Sequence, residues 1–336
     1  MSVRQDVAGG YEVSDMRDDL NCFFIAGAPR AGTTAMARYL KRHPAVAFSD
    51  PKETYFFMLA ADGETPEAVR RRFIEAFFPI VTAETTLLGE GSVSTLYSAE
   101  AIGRMRRAFP AAKFIVMLRD PADLLRSYHA RLVFLRLETE KDFAAAWRLQ
   151  EARARGENVP RQCRDPRILM YREVGRLGHY TSEMIRLVGR ENCLPVLFED
   201  LVADTVGTYR KALAFLGLPD DGRTKFKKIN EQMSYRSGFL QSLYAGPLMR
   251  PVATLMGRNP VLLARLQRAT KPLRKRFKKM NAVEARPAPL EAAFRAELRA
   301  EFDADIRLLE TIVGRDLSHW IAPQATAAPL KAVVGG

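Results

Sequence analysis

The chain is poor in the residues that announce metal or redox chemistry. Its three cysteines, Cys22, Cys163 and Cys193, are odd in number and widely spaced, with no CxxC pair. Neither a disulfide framework nor a zinc site is indicated. Cys22 and Cys193 lie in apolar, strand-like runs and read as buried thiols. The four histidines, His43, His129, His179 and His319, show no HxxxH or HExxH spacing, which leaves metal chemistry without ligands. There is no run of about 18 apolar residues to cross a bilayer. The start, MSVRQDVAGGYEVSDMRDDL, is too polar and acidic for a secretory signal, so the cytoplasm is the expected compartment. Acid is the scarcer charge. Thirty-nine Asp and Glu against 52 Lys and Arg leave a net charge of +13, which implies a polyanionic partner or a basic surface. Much of the excess falls between Arg250 and Arg286, where Glu284 is the single acid. That stretch has no aromatic residue beyond Phe277 and no nucleic-acid motif. It reads as a solvated basic helix near an anionic ligand or a membrane surface, and a nucleic-acid partner is not favoured.

What is present argues for an α/β protein. At 336 residues and 47% hydrophobic the chain can bury a large core. Residues 1–20 read as a polar tail and 321–336 as a flexible, Pro-containing tail. Between them, Cys22 to Ala26, Lys113 to Leu118 and Leu194 to Phe198 are apolar runs, followed by helical patterns from about Thr33, Pro121 and Thr205. Repeated strand, loop and helix predict a central parallel sheet flanked by helices on both faces, in one domain over 21–320. Asp120 before Pro121 is a capping carboxylate ahead of a first-turn proline, and Gly189 and Gly217 stand where helices should end. Residues 137–170 lack a strand signal and are expected as a helical excursion over the sheet edge, with Phe143 and Trp147 as packing residues. Residues 230–286 are expected as a second excursion.

FFIAGAPRAGTTAMARYL, from Phe23 to Leu40, resembles a phosphate-cradling loop without its lysine. Gly27 and Gly32 keep the Walker A spacing and Thr34 fills its hydroxyl position, but Thr33 stands where an ATP or GTP site needs a long cation. Glycines after a buried strand let several N–H groups face one anion, and the following helix adds its positive end. The compensating cation is then Arg30, whose planar guanidinium can grip an oxyanion, with Thr33 and Thr34 as hydroxyl donors. A second anion site is argued from KFIVMLRDPADLLRSYH. Arg119 closes the strand where open α/β sheets place ligands, and Ser127, about two helical turns past the cap, shares its face.

GAPRAGTT, RDPADLLRS and the intervening KETYFF together resemble the sulfotransferase family that uses 3′-phosphoadenosine-5′-phosphosulfate (PAPS), in its Golgi-type and bacterial branch. The similarity runs from about Asn21 to Trp320, including VLFEDLVADTVGTYRKALAFLGLP and GRDLSHW. It implies a P-loop NTPase-like sulfotransferase fold, PAPS as donor and no metal requirement. By motif position it implies Arg30, Ala31, Gly32, Thr33 and Thr34 at the 5′-phosphosulfate and Arg119 with Ser127 at the 3′-phosphate. Glu53 takes the place of the catalytic glutamate in E-x-x-F-F. Screening by Tyr55, Phe56 and Phe57 would make it a stronger base. Lys52 would add positive potential toward the transferred group, and Arg30 would stabilise the bridging oxygen of the leaving nucleotide. His43 and His129 are rival bases for which structural roles are expected.

Relatives often carry lysine or proline in the segment here written GEGSVSTLYS, where this chain has Gly91 and Val93, so heparan-type acceptor electrostatics do not carry over. Ser92, Ser94, Arg161, Arg164 and Tyr171 are candidate acceptor contacts. The acceptor stays open among small molecules such as phenolic metabolites, saccharides, lipid headgroups and peptide hydroxyls, and between hydroxyl and amine, as does oligomeric state. Two rival readings remain. One is a P-loop kinase using ATP and magnesium held by Asp120. The other is a non-catalytic basic adaptor that binds nucleic acid or anionic lipid through residues 250–286.

Overall fold

Where successive residues are all apolar, a strand has no face to give to water and must be covered on both sides. Five segments, most of them built on such runs, form one sheet: β1 (Asn21–Gly27), β2 (Val46–Phe48), β3 (Leu87–Glu90), β4 (Lys113–Leu118) and β5 (Cys193–Leu197). This computed structural model describes residues 20–59, 63–227, 233–235, 260–270, 272, 282–284 and 288–321. The strand order is β2-β3-β1-β4-β5 and every neighbouring pair is parallel. Phe23, Phe24 and Ile25 of β1 and Phe114, Ile115 and Val116 of β4 have no exposed surface. Adjacent residues of a strand point to opposite faces, so both faces are buried, as the expected layered sheet requires. β1 sits between β3 and β4, so the chain turns outward in both directions from it. The crevice beyond the carboxyl ends of β1 and β4 is therefore the topological switch point, where such sheets bind ligands.

The helices begin as their local chemistry dictates. Pro66–Phe77, Ala99–Ala108, Pro121–Leu135 and Thr205–Leu216 are each capped by a side chain, from Thr65, Ser98, Asp120 and Asp204. These caps satisfy first-turn amides that have no intrahelical partner. Gly217 ends the last of these helices at φ 74°, a left-handed stop that glycine adopts without strain. On one face of the sheet, phenylalanines knit the helices to the strands. Phe57 meets Phe73 at 4.8 Å and Phe24 of β1 at 5.8 Å, and Phe24 stacks on Phe114 at 5.4 Å.

Two expectations are corrected. Residues 137–170 do form the short helices Phe143–Arg148 and Gln150–Ala154. Phe143 and Trp147 pack there, but against Phe294 and Phe302 of the helix Ala292–Val313, not over a sheet edge. The edge strand β5 is already covered by Leu177–Val188 and Thr205–Leu216. The excursion is pinned from inside by Arg153, whose two amino groups each donate to Glu138 at 2.7 Å. Burial alone would raise the Glu138 carboxyl, but the Arg153 hydrogen bonds hold it below its ordinary value. The described parts of 230–286 are not helical throughout. They include the helix Pro260–Ala269 and an antiparallel pair, β6 (Met233–Tyr235) with β7 (Ala282–Glu284). Most of the basic run lies outside the described residues, as do both tails apart from Leu20 and Ile321. Leu20 is buried.

Candidate active site

The turn after β1 carries the first cluster. Ala28 donates its amide to Met117 O of β4 at 2.7 Å, which fixes the turn beside the end of that strand. Arg30 and Gly32 both take left-handed backbones, φ 63° and 90°. For Gly32 this is required twice over, because a Cβ there would also lie 2.7 Å from the Phe198 ring. Thr33–Leu40 then starts with no side-chain cap and no acid in its first turn. Its first amides have no internal acceptor, and the positive end of the helix is unopposed by any local carboxylate. That is the donor set an anionic group needs.

The turn after β4 carries the second cluster, and the two meet. Arg119 Nη1 donates to Arg30 O at 3.0 Å, and Arg30 Nε donates to Ser127 Oγ at 2.9 Å. Arg119 does not reach Ser127 directly in these contacts; Arg30 links them. The Arg119 guanidinium lies 4.9 Å from the centre of the Phe198 ring, so one ring backs both Gly32 and Arg119. Burial pulls the Arg119 pKa below its ordinary value, with Asp123 opposing. Asp120, the magnesium ligand of the kinase alternative, spends one oxygen on the Ala122 and Asp123 amides, and Arg295 lies 3.6 Å from the other.

Glu53 stands across the mouth of the loop. Lys52 Nζ lies 2.9 Å from Glu53 Oε1 and also donates to Gly91 O at 3.0 Å. The Tyr55 hydroxyl donates to Glu53 Oε2. Burial, with the Glu53 charge adding to it, pushes that hydroxyl far above its ordinary pKa. The expected aromatic screen is not built as the sequence suggests. Phe56 and Phe57 turn into the core, and the groups at the carboxylate are Lys52 and Tyr55.

Glu90, at the end of β3, was not anticipated. It is fully buried, and its oxygens accept from Thr54 N at 2.9 Å, Thr54 Oγ1 at 3.1 Å, Ser92 N at 2.9 Å and the Ser92 hydroxyl. Burial raises its pKa while the Ser92 and Thr54 bonds oppose. A glutamate closing the apolar run LLGE was the one available signal. Ser92 also accepts from Tyr55 N at 2.9 Å and is buried, so it holds the Glu53 segment instead of lining an acceptor cleft. A Cβ at Gly91 would sit 3.2 Å from Lys52 Cγ, so the absence of a side chain there leaves room for Lys52.

A cleft of about 740 Å³ opens beside the loop, lined there by Arg30, Thr33, Thr34 and Glu53 and beyond them by Ser94, while Lys52, Arg119 and Ser127 stand outside its lining. Arg161 and Arg164 are exposed and outside this lining. Tyr171 is fully buried and donates to Glu138 Oε2 at 2.7 Å, which removes it as an acceptor contact. His43 and His129 are buried and hold backbone carbonyls, Pro219 O at 3.0 Å and Glu140 O at 2.9 Å. Burial lowers the His129 pKa, in keeping with a structural role.

The model described as "Sulfotransferase family" matches residues 66–222, a span with Arg119 and Ser127 but not the Arg30 loop or Glu53. Human bifunctional heparan sulfate N-deacetylase/N-sulfotransferase 3 is 30% identical over 113 residues, 33% of this chain and 13% of that protein. Protein-tyrosine sulfotransferase A of Caenorhabditis elegans is 22% identical over 216 residues, 60% of this chain and 50% of that protein. The chain thus spans a small part of the first relative and half of the second. The crystal structure of a sulfotransferase from Alicyclobacillus acidocaldarius superposes with a TM-score of 0.60 at 25% identity, covering 89% of this chain and 98% of that one. Together with the parallel sheet and its loop, these similarities support a relation of the chain to the sulfotransferase family.

Proposed function

We propose that this chain transfers a sulfuryl group from PAPS to an acceptor hydroxyl or amine, with residues 21–320 as the catalytic domain. The observation that carries the reading is the junction of the two anion grips, Arg119 to Arg30 to Ser127, through Arg30, which itself lines the cleft that holds Glu53. The amides of Gly32 to Thr34, the Thr33 and Thr34 hydroxyls and the Arg30 guanidinium suit the 5′-phosphosulfate, with Ala31 closing the turn through its amide to Ala28 O at 3.4 Å. Arg119 and Ser127 suit the 3′-phosphate. Glu53 takes the acceptor proton as the acceptor oxygen bonds to sulfur. The bond from sulfur to the bridging oxygen breaks, and its electron pair leaves with 3′,5′-adenosine bisphosphate. Arg30 opposes the charge that builds on that oxygen, and Lys52, beside Glu53, adds positive potential toward the group in flight. Such transfers depend mainly on positioning and electrostatics. The human and nematode relatives are named for acting on heparan sulfate and protein tyrosine; neither name fixes the acceptor of this chain.

The test pairs binding with turnover. Glu53→Gln should bind 3′,5′-adenosine bisphosphate within about twofold of the native protein by calorimetry. It should lower transfer of labelled sulfuryl into lysate acceptors by about 10²- to 10⁴-fold. Unchanged transfer would remove Glu53 from its role.

A further inference from the structure

Beyond Glu53 the cleft changes character. Tyr55, Tyr97, Tyr128 and Tyr180 all line it, and each hydroxyl is already committed. Tyr97 donates to Val174 O at 2.9 Å, Tyr128 to Ile168 O at 3.1 Å and Tyr180 to Glu173 Oε2 at 2.9 Å, while Tyr55 donates to Glu53. Burial raises all four, Tyr180 up to about 12. A tyrosine whose proton is spent on the protein offers a guest chiefly its ring. Between the rings the surface is aliphatic, with Met58, Leu132, Leu135, Leu137, Ile168 and Met170.

The charges of this half are also spoken for. Arg167 makes two bonds of 2.8 Å to Asp165, Glu100 accepts from Arg104 at 2.6 Å, and Glu173 lies 3.4 Å from Arg176. The Arg131 guanidinium lies over the Phe134 ring at 5.2 Å. Among the described lining residues past Glu53, three carboxylates stand against two guanidiniums. An acidic saccharide would have to shed water from its own charges and meet a lining in which acids outnumber bases. A neutral apolar body would instead cover rings and methyl groups whose polar atoms are already satisfied.

We infer, on the sulfuryl-transfer reading above, that the acceptor is an uncharged molecule with an aromatic or branched aliphatic body that presents a hydroxyl, and not an acidic saccharide. Leu135, half-buried at the end of the helix Pro121–Leu135, is a specificity position that touches none of the donor groups described above.

Calorimetry on the full chain, with and without saturating 3′,5′-adenosine bisphosphate, compares 2-naphthol with an N-desulfated heparin tetrasaccharide. The neutral phenol should bind at least about tenfold more tightly. Leu135→Asp, checked for an unchanged melting temperature, should weaken 2-naphthol about tenfold or more by placing a carboxylate against it, while bisphosphate affinity moves less than about twofold. Tyr97→Phe should leave 2-naphthol within about threefold, since the lost hydroxyl serves Val174. Tighter binding of the tetrasaccharide, 2-naphthol binding indifferent to Leu135→Asp, or no binding of 2-naphthol in either state overturns the inference. Failure of the bisphosphate to bind strikes the donor reading alone, because both acceptor probes are also titrated without it.

Discussion

At the carboxyl end of β1 the chain enters a helix through Gly32, left-handed and with no side chain to meet the first amides. One strand over, at the end of β4, it enters through Asp120, whose carboxylate accepts from Ala122 and Asp123. Both turns lie at the same switch point of the sheet, and both precede helices whose positive ends face the crevice. The second supplies its own anion, and its cation, Arg119, comes from the residue before the cap. The first leaves the anion to come from elsewhere and carries Arg30 within the turn. A parallel sheet thus offers equivalent positions, and the residue at the helix entrance decides which of them is open to a ligand.

The largest effect is expected from closing the open turn. Gly32→Ala puts a methyl group 2.7 Å from the Phe198 ring at a backbone φ of 90°. It should weaken 3′,5′-adenosine bisphosphate by about a hundredfold or more in calorimetry, with a stability loss of about 1–3 kcal/mol. Retained affinity would show that the β1 turn is not the ligand's cradle. Next, Arg119→Ala removes the cation that accompanies the closed turn. Its loss should cost about ten- to hundredfold in the same titration, and an unchanged Kd would separate the two turns functionally.

The smallest effect tests the plug itself. Burial, reinforced by the Asp123 charge, holds the Asp120 carboxyl above its ordinary range. A raised carboxyl gives its full contribution to stability below the unfolded pKa, near ~3.9, and loses it as the pH rises through the folded value. Asparagine caps as well as aspartate but carries no charge. Between about pH 4 and pH 7 the melting temperature of Asp120→Asn should therefore gain on that of the native chain by a few degrees. A difference that stays constant with pH would mean that Asp120 ionises without penalty.

Much of this arrangement could be read from the residues. The runs at β1, β4 and β5 are long and apolar enough to declare themselves, and Asp120-Pro121 marks its helix without ambiguity. β2 and β3 were missed because Val46–Phe48 and Leu87–Glu90 are three and four residues long, too short for a period, and the second holds a glycine and a glutamate. The loop with Arg30, Thr33 and Thr34 was legible because spacing within one turn is local. The link from Arg30 to Ser127 spans 97 positions, and no local pattern encodes it. Phe56 and Phe57 misled for a related reason: adjacency to Glu53 in sequence says nothing of which way a ring points once the chain turns. The commitment of four tyrosine hydroxyls is likewise a property of the folded contacts and not of composition.

The segment bearing Glu53 is fastened almost wholly to one side. Thr54 and Tyr55 hang from Glu90 and Ser92, Lys52 reaches Gly91, and Ser49 bonds back to Lys52 O at 3.1 Å. Apart from Ser49, which follows β2, these anchors belong to β3 and its exit, and none to Tyr97, Tyr128 or Tyr180. The moving part of such an enzyme's history can then be the wall of those tyrosines, which is free to be rebuilt around a new guest while the Glu53 carboxylate keeps its station.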